Sequence, residues 1–165
     1  MTHAELVALA ARWLRKDHPV VITDMTSGAC ETPDAIGFSL TSTLVECKAS
    51  RSDFLRDKHK GFRLHDTNAM GDYRYFLAPP GMITVAELPA QWGLLEARGG
   101  RVFLIHTSER FATGTRRNEM RLLVSAVRRL VGAGCTGVNA KVYEYNSAGD
   151  SPRATIEAEK INAIP

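Results

Sequence analysis

The chain opens with an apolar pattern that has the period of an α-helix. The apolar positions recur at helical spacing, at Leu6, Leu9, Ala10, Trp13 and Leu14. Thr2 and Glu5 have the three-residue spacing of a capping box, and Pro19 blocks continuation of the helix. These signals predict a helix over residues 3–17 with one buried face.

Short runs rich in apolar and β-branched residues follow, at 20–23, 34–40 and 43–48. The runs are short and closely spaced, which favours a meander of antiparallel strands. A helix start at Ser50 or Ser52 and an aromatic strand at 73–78 come next. The order helix, three strands, helix, strand predicts an α/β domain whose mixed sheet is flanked by helices.

The second half of the chain has weaker signals. Two further short strands are predicted at 94–96 and 102–105, and an amphipathic helix at 115–131. Its predicted inward positions are Met120, Leu123, Val124, Val127 and Val131. We interpret residues 1–110 as the core, and residues 111–165 as a helix and polar tail packed on the same domain.

Composition narrows the classes of protein that are possible. The 165 residues are 44% hydrophobic and 24% charged, which suits one globular domain. No apolar run has the roughly 18 residues of a membrane span, so we expect no membrane partner. Three widely spaced cysteines without a CxxC pair favour a reducing, cytoplasmic setting. The net charge of +3 is compatible with nucleic acid as a partner.

The third predicted strand carries charges that packing does not explain. Glu46 and Lys48 are two residues apart, so their side chains point to the same face of an otherwise apolar strand. Buried charges are costly unless they are paired or bind a metal. The neighbouring strand begins at Asp34, and a hairpin between the two strands would bring Asp34 near Glu46. A divalent cation removes the repulsion between two such carboxylates.

This set of groups suits metal-assisted hydrolysis of a phosphodiester. Oxygen ligands favour Mg²⁺, whose bound water has a lowered pKa and becomes the nucleophile. Lys48 would position that water and offset charge that develops on the phosphate. The backbone carbonyl of Cys47 would add a further oxygen ligand.

Pro33-Asp34, followed by Glu46-Cys47-Lys48, resembles the signature of the PD-(D/E)xK nuclease superfamily, and the element order is similar to its restriction-endonuclease-like core. The run from Glu46 to Phe54 resembles the MmcB-like branch of DNA-repair nucleases. The resemblance covers about residues 4–96. It departs from that branch at Glu31, since basic residues precede the aspartate there.

The resemblance implies a metal-dependent deoxyribonuclease. It implies that Asp34 and Glu46 bind Mg²⁺ or Mn²⁺ and that Lys48 assists the attacking water. Asp24 ends the first strand, where the branch often has an acid, and the resemblance implies a third ligand or a neighbour of the ligands. The alternative for Asp24 is an acid at the entry to a loop. The small chain favours recognition of a branch, flap or nick over a long sequence, and cleavage of both strands would require a homodimer.

A basic run follows the predicted site. We interpret its cations as contacts to DNA phosphates, at Arg51, Arg56, Lys58, Lys60 and Arg63. The alternative for each of them is a solvated helix or loop.

Other interpretations stay open at this point. Glu46 and Lys48 could form an exposed ion pair on an edge strand, and Asp34 could be a turn-entry aspartate. Glu5 could be a metal ligand carried on the first helix, although its capping-box position explains it more simply. At the level of function, the alternatives are an inactive nuclease-fold module that binds nucleic acid, and a phage accessory or interaction protein in which the pattern is accidental.

Overall fold

The computed structural model describes residues 1–29, 31–57, 69–112 and 116–133, together with the backbone of two short strands nearer the C-terminus. The helices are α1 (His3–Leu14), α2 (Arg51–Asp57) and α3 (Arg116–Gly132), with a 3₁₀ turn at Val85–Glu87. The strands are β1 (Val20–Thr23), β2 (Ala35–Phe38), β3 (Ser42–Cys47), β4 (Tyr73–Ala78), β5 (Gly93–Arg98), β6 (Arg101–His106), β7 (Tyr143–Glu144) and β8 (Arg153–Ala154).

Strands β1 to β6 form one mixed sheet in sequence order. The β1–β2 and β2–β3 pairs are antiparallel, the β3–β4 and β4–β5 pairs are parallel, and β5–β6 is an antiparallel hairpin. The predicted meander is therefore confirmed, as is the α/β class with helices flanking a mixed sheet.

The central strands are buried on both faces. Val45 and Cys47 of β3 pack in a cluster with the apolar face of α1. Leu44 of the same strand faces a second cluster that includes Phe54 of α2 and Leu122 of α3. All six residues of β3 are buried, as is typical of a strand with helices on both sides. Any charge on β3 is therefore held away from bulk solvent.

Helix α1 begins as predicted and ends three residues early. The Thr2 backbone N–H donates to the Glu5 carboxylate at 2.7 Å, and the Glu5 N–H donates to the Thr2 hydroxyl at 3.3 Å. This capping box is confirmed, and these hydrogen bonds hold the pKa of Glu5 below its usual value. After Leu14 the chain continues as a turn, in which the His18 N–H donates to the Leu14 carbonyl.

The predicted inward face of α3 is wrong at three of its five positions, whereas Leu123 and Val131 are partly buried. Met120, Val124 and Val127 are 46–60% exposed. The buried residues of the helix are instead Asn118, Glu119 and Leu122.

Polar contacts explain this orientation of α3. The Glu119 carboxylate accepts hydrogen bonds from the Gly71 N–H at 3.0 Å and from the Ser42 hydroxyl at 2.6 Å. Arg116 donates to Asp72, whose carboxylate also accepts from the Ser42 N–H. A buried carboxylate with these partners is costly to expose, so this network outweighs the apolar periodicity.

The chain divides into two compact units, Met1–Leu122 and Leu123–Pro165. The first contains the six-stranded sheet, and the second contains the rest of α3 and the antiparallel β7–β8 pair. The predicted boundary after residue 110 stays a prediction. Within the described residues, no helix combines the length and the apolar character needed to cross a membrane.

Candidate functional site

The end of β1, the start of β2 and the end of β3 lie at the same end of the sheet. The register aligns Thr23 at the end of β1 with Ala35 at the start of β2, and Ala35 with Val45 near the end of β3. The residues that flank these positions are Asp24, Asp34 and Glu46. The predicted β2–β3 hairpin is present, and its register brings the segments that carry the three acids to the same place.

Asp34 is held against the end of β3. Its Oδ2 accepts a hydrogen bond from the Cys47 backbone N–H at 2.7 Å, and its side chain is 19% exposed. Burial raises the pKa of the Asp34 carboxyl above its usual value, and the neighbouring charge of Asp24 raises it further. The Cys47 N–H and the charges of His3 and Lys48 act in the opposite direction. Burial is the largest of these effects on the pKa. A cation bound beside Asp34 would therefore stabilise the ionised carboxylate.

Glu46 and Lys48 form a buried ion pair. The Lys48 Nζ lies 3.4 Å from Glu46 Oε2, and the two side chains are 4% and 6% exposed. The alternative of an exposed edge-strand pair is therefore wrong, because β3 is central in the sheet. The ammonium also lies 5.8 Å from the centre of the Phe76 ring. The removal of two charges from water is costly and often gives no net stability, so a buried pair of this kind is a candidate for a functional role.

His3 and Asp24 complete the surroundings of Asp34. His3 Nε2 lies 3.5 Å from Asp34 Oδ1. Asp24 adopts a left-handed backbone with φ of 47°, and its N–H donates to the Asp34 carbonyl at 3.2 Å. One ligand atom from each of His3, Asp24 and Asp34 lies within 4.8 Å of the other two.

This group has the chemistry of a divalent-cation site. Ligands on opposite sides of Mg²⁺ are about 4.2 Å apart, so a small contraction would allow His3, Asp24 and Asp34 to share one ion. Two carboxylate oxygens suit Mg²⁺ or Mn²⁺, and the imidazole nitrogen favours the transition metal. Glu46 is not a member of this group, and its carboxylate contacts Lys48 instead. Its assignment as a metal ligand stays a prediction.

The sequence interpretation missed His3. The capping box placed His3 at the start of α1, but no local signal indicates that this helix end lies beside Asp34. The acid in the same turn, Glu5, is engaged with Thr2, which supports its capping role. Only the packing of α1 on the sheet brings an imidazole to the site.

Cys47 contributes through its backbone. Burial, reinforced by the charges of Asp34 and Glu46, raises the pKa of the Cys47 thiol. The sulfur therefore stays protonated at neutral pH and is a poor metal ligand. The assignment of its carbonyl as a ligand stays a prediction.

The structure describes Arg51 and Arg56 of the basic run. Arg51 donates to the Glu87 carboxylate and to the Met82 carbonyl at 3.0 Å, so its guanidinium links α2 to the 3₁₀ turn. Arg56 is exposed on α2. The other predicted phosphate contacts lie outside the described residues, at Lys58, Lys60 and Arg63. The role of the run in DNA binding stays a prediction.

Comparison with known proteins adds information about the fold. No protein-family model matches the chain, and no curated protein matches it. Its structure is similar to that of SPO1766, a protein of unknown function from Silicibacter pomeroyi, with a TM-score of 0.61. The two sequences are 20% identical, and the match covers 85% of this chain and 98% of that chain. This similarity shows a shared fold.

Proposed function

We propose that this protein is a metal-dependent deoxyribonuclease with a restriction-endonuclease-like core, which hydrolyses phosphodiester bonds in DNA. The proposal rests mainly on one observation: Asp34 meets the end of β3 next to the buried Glu46–Lys48 pair. The resemblance to the PD-(D/E)xK signature supports it, since the same three residues carry that pattern. We propose Mg²⁺ or Mn²⁺ as the cofactor.

The ligands of the cation would be Asp34, Asp24 and His3, with Glu46 as a further ligand. A carboxylate has about four lone-pair positions, so Glu46 can remain paired with Lys48 and still bind a cation. When bound, such a cation polarises phosphoryl oxygens and lowers the pKa of water. The two exposed members, Asp24 and His3, leave this side of the site accessible to a substrate.

Lys48 has a separate role in this proposal. Its ammonium is fixed by Glu46 at 3.4 Å, so it needs little reorganisation when negative charge develops on a phosphoryl oxygen. A fixed donor in a site with little water stabilises such charge far better than a mobile one. Glu46 thus orients the lysine. Asp34 lies near enough for the charge of Lys48 to lower the pKa of the Asp34 carboxyl.

The experiment that tests the function compares wild type with Lys48→Ala and Asp34→Asn. Mn²⁺ uptake is measured by calorimetry, and cleavage is measured on branched and linear DNA. We expect Lys48→Ala to lower the cleavage rate by about 10²–10³, with a much smaller change in DNA affinity in Ca²⁺. Asp34→Asn should weaken Mn²⁺ binding as well as cleavage, because it removes a charged ligand.

Control measurements separate the alternatives. Circular dichroism must show that each variant is folded at the assay temperature. His3→Asn should weaken Mn²⁺ binding more than Mg²⁺ binding, because Mg²⁺ depends less on the imidazole. A wild type that binds DNA but neither takes up Mn²⁺ nor cuts any substrate would be an inactive binding module. Wild-type cleavage by Lys48→Ala would refute the proposed role of the lysine.

A further inference from the structure

A cationic groove lies between α1 and the β5–β6 hairpin, within the first unit. Its volume is about 410 Å³. One wall is the face of α1 that carries Leu9, Arg12, Trp13 and Lys16, and the other is the chain from Gly100 to Phe103. Three of the eight lining residues are cations and none is acidic. The groove therefore suits an anionic ligand that also has apolar surface.

The cations stand around an apolar floor. Arg12, Lys16 and Arg101 are exposed, whereas Leu9 is buried and Val102 packs against the core. Arg12 donates one N–H to the Gly100 carbonyl at 3.1 Å, which holds the guanidinium across the groove. A guanidinium has five N–H donors in a planar fork that matches a phosphate.

Aromatic side chains line the same groove. Trp13 is partly buried, and its ring packs edge-on against Tyr75 with the ring centres 5.6 Å apart. Phe103 is 43% exposed. Cations that follow a phosphate backbone, combined with aromatic rings, are typical of sites for single-stranded nucleic acid. A groove of this volume has the size of a site for one small organic ligand.

The groove extends along α1 toward the N-terminus of the helix. A second hollow, of about 490 Å³, shares Leu9, Arg12 and Gly100 with the first and extends along α1 to Met1 and Glu5. The acidic residue of this second hollow is Glu5, so the first groove is the part that suits an anion.

We infer that this groove binds a segment of single-stranded DNA, with phosphates on Arg12, Lys16 and Arg101. The choice of DNA as the ligand rests on the proposed function. The preferred substrate is then DNA with a single-stranded arm, such as a flap, which should bind better than continuous duplex.

The test measures the binding of a fluorescein-labelled dT₂₀ strand by fluorescence anisotropy in EDTA, where metal-dependent cleavage cannot occur. The groove variant combines Arg12→Ala, Lys16→Ala and Arg101→Ala. The matched control removes three exposed cations elsewhere on the first unit, by Arg110→Ala, Arg117→Ala and Arg121→Ala.

We expect the groove variant to bind dT₂₀ at least about tenfold more weakly, with a salt slope lowered by about 2, since each phosphate contact on a single strand contributes about 0.7. The control should change much less. Phe103→Ala should weaken dT₂₀ binding without changing the salt slope, because it removes no charge. A 20-base-pair duplex should depend less on the groove than dT₂₀ does.

Equal losses of affinity in the groove variant and the control would mean that net charge alone acts, and they would overturn the inference. Undiminished dT₂₀ binding by the groove variant, or no binding by wild type, would also overturn it. If the wild type binds through the groove but neither takes up Mn²⁺ nor cuts DNA, the nuclease proposal fails and the groove assignment stands. If it cuts DNA while the groove variant binds normally, the groove assignment alone fails.

Discussion

The buried Glu46–Lys48 pair makes a sharp prediction about stability. Lys48→Met keeps the length of the side chain but leaves the Glu46 carboxylate, 6% exposed, without the ammonium at 3.4 Å. Removal of one partner of a buried ion pair costs about 3–5 kcal/mol. The free energy of unfolding of a domain is about 5–15 kcal/mol, so the variant should stay folded with a clearly lower stability.

Replacement of both partners should cost far less. In the double variant Glu46→Met/Lys48→Met no charge of the pair remains buried, and apolar side chains of similar volume fill the space beside Phe76. Such replacements of buried pairs are often neutral or stabilising. We therefore expect the two single variants to lose more stability in sum than the double variant, with a coupling energy of about 2 kcal/mol or more.

The assay is urea unfolding followed by far-ultraviolet circular dichroism at pH 7 in EDTA. A matched control is the exposed pair of Arg51 and Glu87. The same comparison of two single variants with the double variant should give a much smaller coupling energy there. Additive destabilisation at Glu46 and Lys48 would refute the reasoning, because it would mean that water already screens the pair. A double variant that unfolds completely would show instead that the charges are required for the fold.

Two further predictions concern the charges that follow β3. Changing Arg56, Lys58 and Lys60 together to alanine should weaken duplex DNA binding and lower its salt slope by about 0.9 for each phosphate that the variant no longer neutralises; an unchanged slope in a binding titration would place them on a solvated surface. Hydrogen bonds from Arg51, and then from the backbone and hydroxyl of Thr84, lower the pKa of Glu87 to about 2 from its usual 4.5. The stability that this ionised carboxylate contributes is therefore present above about pH 4.5 and is lost as the pH falls toward 2. The stability difference between wild type and Glu87→Gln, measured by urea unfolding from pH 6 to pH 2, should therefore shrink on acidification, and a constant difference would contradict this explanation.

Local sequence signals determined much of the fold. The capping box at Thr2 and Glu5 depends on residues three apart, and the structure confirms it. Short β-branched runs and short connections also determined the β1–β2–β3 meander, because each of these strands pairs with its neighbour in the chain. Signals of this kind need no knowledge of distant contacts.

Long-range packing decided the composition of the site. The approach of His3 to Asp34 joins residues 31 positions apart in the chain, and it depends on how α1 packs across the sheet. The ExK spacing placed Glu46 and Lys48 on one face, but it left open whether that face is wet or dry. The central position of β3 between two helical layers made the pair buried.

The same reason explains the error in α3. Its apolar period predicted Met120, Val124 and Val127 on the inner face, since a hydrophobic stripe usually marks the core. The structure buries Glu119 instead, because Ser42 and the Gly71 N–H supply hydrogen bonds from segments that are distant in the sequence. Periodicity measures only the affinity of a helix face for apolar surroundings, whereas tertiary structure also decides which polar groups find partners, and those partners determined which face of α3 is buried.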